Sequence, residues 1–193
     1  MRAALLWLSL IIPASVVAQQ VPRPQKVLTP EQIAYQQAMK TYNARIGVLR
    51  SSALSAFAAE VAREKAPECP NASTTYDINM CLSHEGDLTD ANYKAYMAAL
   101  RSLLALPVPT MPGSDDGAGG PTGHEGTPAT NTAAFDAAEL AWQTYATAEC
   151  GAVDTLWRGG TIVNSIDGEC NLRMARARLH ELDIAYSVRL HPR

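Results

Sequence analysis

The chain has 193 residues, 47% hydrophobic and 18% charged, with a formal net charge of −3. That length suits one domain with a core large enough to fold alone. The mild acidity and the lack of a basic cluster exclude a nucleic-acid-binding surface, and neither the N-terminal apolar run nor any later segment is long enough to span a bilayer.

Met1–Gln20 (MRAALLWLSLIIPASVVAQQ) carries Arg2, an apolar run from Ala3 to Ile12, and small residues ahead of a polar step. This is the pattern of a secretory signal peptide over residues 1–18, cleaved after Ala18 to release a periplasmic or secreted chain. No cysteine follows the apolar run, which argues against a lipid anchor. Cleavage removes Arg2 and no acid, so sixteen basic residues become fifteen against nineteen acidic ones.

Thr29–Pro30–Glu31–Gln32 reads as a helix start, with Thr at the N-cap, Pro at the first position and Gln three residues after the cap. Tyr35, Met39, Tyr42, Ile46, Leu49 and Ala53 recur at helical steps, continued by Leu54, Phe57 and Val61, predicting one long helix within residues 29–66. Pro67 and Pro70 end it. A second helix is expected from Thr74 or Thr75, burying Ile78, Cys81, Glu85, Leu88, Asn92, Tyr96, Ala99, Leu103 and Leu106, with Gly86 the weak point mid-helix for a kink. Glu85 and Asn92 interrupt that apolar face and need hydrogen-bond partners wherever they are buried.

Residues 107–131 include eleven Pro or Gly in twenty-five and read as a flexible linker, a setting in which His124 and Glu125 make a poor metal site. A third helix is expected from about Thr132 through Phe135, Trp142 and Tyr145, past Cys150 toward Trp157. A fourth is expected from Asp167 as N-cap through Leu172, Leu179, Leu182 and Tyr186. The fold class is therefore all-α, an antiparallel bundle of three to four long helices. Running the helices up and down brings Cys69, Cys81, Cys150 and Cys170 to one end, so that two disulfides staple it.

Four cysteines in an exported chain pair most simply as two disulfides. Cys69–Cys81 and Cys150–Cys170 are the expected pairs among three connectivities. The first lets a short loop fold back on the second helix, and the second closes the join between neighbouring helices. Cys150 lies between Trp142 and Trp157 and ahead of Gly159–Gly160, but His84, His124, His180 and His191 form no recognisable dyad with it. Spacings of 12 and 20 residues are too wide for structural zinc. No metal set, phosphate loop or carboxylate pair is recognisable, so neither catalysis nor a cofactor is expected.

DINMC (Asp77–Cys81), Glu85, NYKAY (Asn92–Tyr96), WQTYATAEC (Trp142–Cys150), GGT (Gly159–Thr161) and CNLRMARARLHEL (Cys170–Leu182) occur in that order. Together they resemble the LprI-like lysozyme inhibitor family of small exported bacterial helical domains. The likeness runs roughly from Cys69 to Tyr186, within a helical domain placed at residues 69–188, and leaves the first helix outside. The chain departs from the family pattern at Ala146–Thr147, where Arg–Asp is frequent, at Ala175, where Thr is common, and in its long linker.

The resemblance implies a cell-envelope protein that binds a protein partner, with inhibition of a basic lysozyme as the family precedent. A structural or adaptor domain of the periplasm without inhibitory activity is the alternative. The expected contact region is Gly151–Glu169, read as an irregular loop held between two cysteines. There Trp157, Arg158, Gly159, Gly160 and Thr161 combine an aromatic anchor, a guanidinium and closely approachable backbone, and Asp154 and Asp167 are the acidic contacts. The plainer reading is that Trp157 packs on the disulfide end and the glycines only turn the chain. Glu85, Asn92 and Arg178 are expected to serve the fold.

Overall fold

A computed structural model of the chain describes residues 28–111, Gly113 and residues 126–191. The expected signal peptide at residues 1–18, and His124 and Glu125 in the stretch read as a linker, lie outside these residues. The described chain forms α1 (Pro30–Glu64), α2 (Thr75–Leu104), α3 (Pro128–Leu156), α4 (Val163–Ala185) and the single turn α5 (Ser187–Leu190), with no strand among the described residues.

Local chemistry sets most of the helix starts. Thr29 and Gln32 form a reciprocal capping box at α1, and Thr74 and Asp77 form one at α2. Thr127 caps α3, with Pro128 at its first position, so this helix starts inside the stretch read as linker and ahead of the expected Thr132. Its Thr–Pro start repeats the signal at Thr29–Pro30, which the surrounding Pro and Gly had obscured. The expectation for α4 also needs correction: it begins at Val163, Ile162 supplies no side-chain cap, and Asp167 lies inside the helix. Consequently Gly151–Glu169 is mostly helical, and only residues 157–162 are irregular. Helix α2 passes Gly86 without interruption.

Pairwise contacts show an up-down-up-down bundle. Phe57 of α1 meets Tyr96 of α2 with ring centroids 6.2 Å apart, and Tyr93 of α2 meets Trp142 of α3 at 5.8 Å. Phe135, near the start of α3, lies 5.7 Å from Tyr186, just after α4. Helices α2 and α4 run in the same direction side by side, whereas the backbones of α1 and α3 do not approach each other closely. Helix α4 therefore completes the burial of α2 between two flanking helices.

The main core joins Ala53 and Ala56 of α1, Tyr96, Leu100 and Leu103 of α2, Phe135 of α3, Leu179 and Leu182 of α4, and Leu190. Each fully buried leucine contributes about 1.5–3 kcal/mol of transfer free energy. The α2 face differs from the simple stripe: Leu82 is buried while Leu88 is exposed. Because α2 has neighbours on more than one side, its buried surface does not follow one line of side chains.

Cys69–Cys81 and Cys150–Cys170 are both disulfide-bonded, and both staples lie at the end of the bundle where α2 and α4 begin and α3 stops. The second is surrounded by Ala146, Met174, Trp142 and Val153 in a small apolar cluster of its own.

Candidate functional site

The turn between α3 and α4 forms the tip of the stapled end. Helix α3 ends at Leu156, Trp157 caps it with its backbone N–H donating to the Asp154 carbonyl, and Gly159 takes φ +89°. That left-handed conformation suits glycine, since a Cβ would crowd the following carbonyl. At Gly160 a Cβ would come within 3.3 Å of the Trp157 carbonyl oxygen, so the two glycines permit the tight reversal into α4.

Trp157 remains 48% exposed and Leu156 79% exposed, and Ile162 is exposed beside them. Arg158 and Thr161 are exposed, and an Arg158 guanidinium nitrogen lies 3.4 Å from Thr155 Oγ1. Asp154 is half-buried in the last turns of α3. The fold thus gathers Asp154, Trp157, Arg158, Gly159, Gly160 and Thr161 at one tip. Asp167 stands apart from them, a turn into α4 on the side that faces α2.

There it borders a groove between α2 and α4, with a volume of about 460 Å³. The helices approach closely at one end, where a Cβ on Gly168 would sit 3.3 Å from Leu82 Cβ, and the Ser165 hydroxyl lies 2.6 Å from Asn79 Oδ1. Farther along they separate over Gly86, at which an added Cβ would meet nothing within 4 Å. Leu82, Leu172 and Ala175 give the groove an apolar floor, while Asp87, Asp90 and Asp167 stand among its lining residues. No Lys, Arg or His lines it.

Behind this surface, α1, α2 and α4 share a buried polar network. Glu60, only 1% exposed, accepts from the Thr89 hydroxyl at 2.7 Å, from Asn92 Nδ2 at 2.8 Å and from Arg176 Nε at 2.8 Å. Arg63 Nε lies 3.4 Å from the same carboxylate, an ion-pair contact without an aligned hydrogen bond. Arg176 also donates to Glu68, and Arg63 donates to both the carboxylate and the backbone carbonyl of Glu85. Burial raises the Glu60 pKa, but Arg176, Thr89, Asn92 and Arg63 together outweigh it and hold the carboxyl below its ordinary value.

A second polar group joins α2, α3 and α4. Arg178 Nε lies 3.3 Å from Glu139 Oε2, its guanidinium sits 5.6 Å from the centre of the Trp142 ring, and the Tyr93 hydroxyl donates to Glu139. Burial first, and then the Glu139 carboxylate, push the Tyr93 phenol far above its ordinary range. Glu85, Asn92 and Arg178 are therefore all engaged in polar contacts. Glu85 is bound to Arg63 and Arg178 to Glu139, so these two do not pair with each other.

Glu60, Arg63, Glu139 and Arg176 escaped the sequence reading. Glu60 falls in the α1 stripe between Phe57 and Glu64, where a charge on a long amphipathic helix reads as solvent-facing. The available signal was the pattern of Arg176 and Arg178 on either side of Leu179's apolar face. Among the described residues no group of His, Cys, Asp or Glu is placed to hold a metal ion, and no helix is long and apolar enough to cross a membrane.

The sequence model of the lysozyme inhibitor LprI family matches residues 67–182, more than half of the chain, and the chain belongs to that family. The match starts beside Cys69, ends at Leu182 and leaves α1 outside. No curated protein and no solved structure matches the chain.

Proposed function

We propose that this member of the lysozyme inhibitor LprI family is exported to the cell envelope and acts by protein–protein contact, with a basic lysozyme as its partner. Family membership supplies the activity class, and two disulfides fit an oxidising compartment. The observation that carries the reading is the exposed Trp157 beside Arg158, on a turn whose flanking helices are joined by Cys150–Cys170. Tryptophan and arginine often dominate interface energy. A turn held at both ends loses less conformational freedom on binding.

Asp154 and Asp167 are the acidic contacts offered to a basic enzyme, and raised salt should slow association. The test is lysis of a bacterial suspension by a basic lysozyme in the presence of the purified mature protein. The Trp157→Ala/Arg158→Ala variant is compared after its helicity has been checked by circular dichroism. The parent should inhibit, and the double variant should inhibit at least tenfold less well. A parent without any effect would end the inhibitor reading and leave a periplasmic adaptor role. Equal inhibition by the variant would move the contact away from the turn.

A further inference from the structure

We infer that the groove between α2 and α4 receives a lysine or arginine side chain of the protein partner, a reading that rests on the binding role proposed above and extends it beyond the turn. The occupant follows from charge complementarity. The groove carries three carboxylates and no cationic residue. Asp90 is held by Lys94 at 2.5 Å, whereas the carboxylates of Asp87 and Asp167 meet no cation among the described residues.

Shape points the same way. A long basic side chain has an aliphatic stem and a charged head, and it is best accommodated by apolar walls ending in acidic or amide groups. Leu82, Leu172 and Ala175 offer the walls, and Asp87, Asp167 and Asn79 offer acceptors. The volume falls within the range of about 300–1,000 Å³ typical of ligand-holding clefts, leaving room for a side chain with its flanking backbone. The groove starts from the stapled end, where Ser165 and Asn79 join α4 to α2, so one partner can cover both it and the turn.

The experiment has two probes: a basic lysozyme immobilised on a biosensor, and a tetralysine peptide titrated into isotope-labelled protein followed by backbone amide resonances. The variants are Asp87→Asn, which removes a groove carboxylate away from the turn, and Gly86→Leu, which fills the groove from a position where an added Cβ meets nothing. Both should keep the helical circular dichroism of the parent and lower lysozyme affinity by about tenfold or more. Tetralysine should shift resonances around Asn79, Asp87 and Asp167 in the parent and not in Gly86→Leu, and tetraglutamate should shift none. Parent-like lysozyme binding by both variants overturns the groove while leaving the turn reading intact. If the parent itself binds no lysozyme, the lysozyme reading fails, and tetralysine then decides the groove alone: no shift there overturns it.

Discussion

Replacing Arg176 by alanine would remove the central cation of the network that joins three helices. Its side chain is 10% exposed and Glu60's is 1% exposed, and their contact is 2.8 Å long. After truncation Glu60 would keep Thr89, Asn92 and the unaligned Arg63 contact, and Glu68 would lose its partner. Breaking a buried pair from one side costs about 3–5 kcal/mol, because the remaining charge stays desolvated. At about 2–4 °C per kcal/mol for a domain of this size, the melting temperature should fall by roughly 6–20 °C.

The same change should alter the pH dependence. The Glu60 pKa is lowered in the fold, so its contribution is present above the ordinary value of 4.5 and is lost as pH falls through the depressed folded value. The parent should therefore lose stability on acidification below that ordinary value, and Arg176→Ala should show a shallower loss. Glu60→Gln is a second perturbation: one face of the amide still accepts from Thr89 and Arg176, but its NH₂ must face the Asn92 donor. A paired Glu60→Met/Arg176→Met variant should recover part of the deficit, as apolar replacement of buried ion pairs often does. Thermal unfolding followed at 222 nm, the helical circular dichroism band at about that wavelength, is the assay. An Arg176→Ala melting temperature within about 2 °C of the parent would refute the reasoning.

Arg178→Ala should destabilise by about 1.5–3 kcal/mol, the range for a hydrogen bond to a charged group, because Glu139 and the Trp142 ring both lose it; urea unfolding checks this. The two glycines should respond in opposite directions. Gly159→Ala forces a side chain into a left-handed backbone and should cost about 1–2 kcal/mol, whereas Gly86→Ala sits in open helix surface and should gain up to about 1 kcal/mol, both read from denaturant midpoints. Removing Cys150–Cys170 by paired alanines should cost about 3 kcal/mol, given closure of a loop with sequence separation 20, and should leave the helical spectrum intact at low temperature.

Much of the architecture is written locally. Thr29–Pro30 and Thr74–Asp77 start helices because their side chains satisfy exposed backbone N–H groups, an interaction spanning three residues. The apolar recurrence from Tyr42 to Phe57 specifies a helix face, and the up-down course of four such helices gathers the four cysteines at one end, where they pair as Cys69–Cys81 and Cys150–Cys170. The family was legible for the same reason, since its motifs lie on the helices that carry the staples and, for Gly159–Thr161, on the turn between two of them.

Tertiary packing decided the rest. Whether Leu82 or Leu88 is buried depends on which side of α2 its neighbours occupy, and the start of α4 at Val163 followed no side-chain cap that a sequence could display. The buried partners, Glu60 of Arg176 and Glu139 of Arg178, are separated from them by 116 and 39 positions, so neither buried pair is announced along the chain. Asp167 parted from Trp157 because four helical residues turn it toward α2, and the groove beside it exists only through the spacing of two helices that are far apart in sequence. Short-range hydrogen bonding and apolar periodicity determined the elements. Which surfaces they buried, and which cavity they left open, was set by the packing of α4 against the other three.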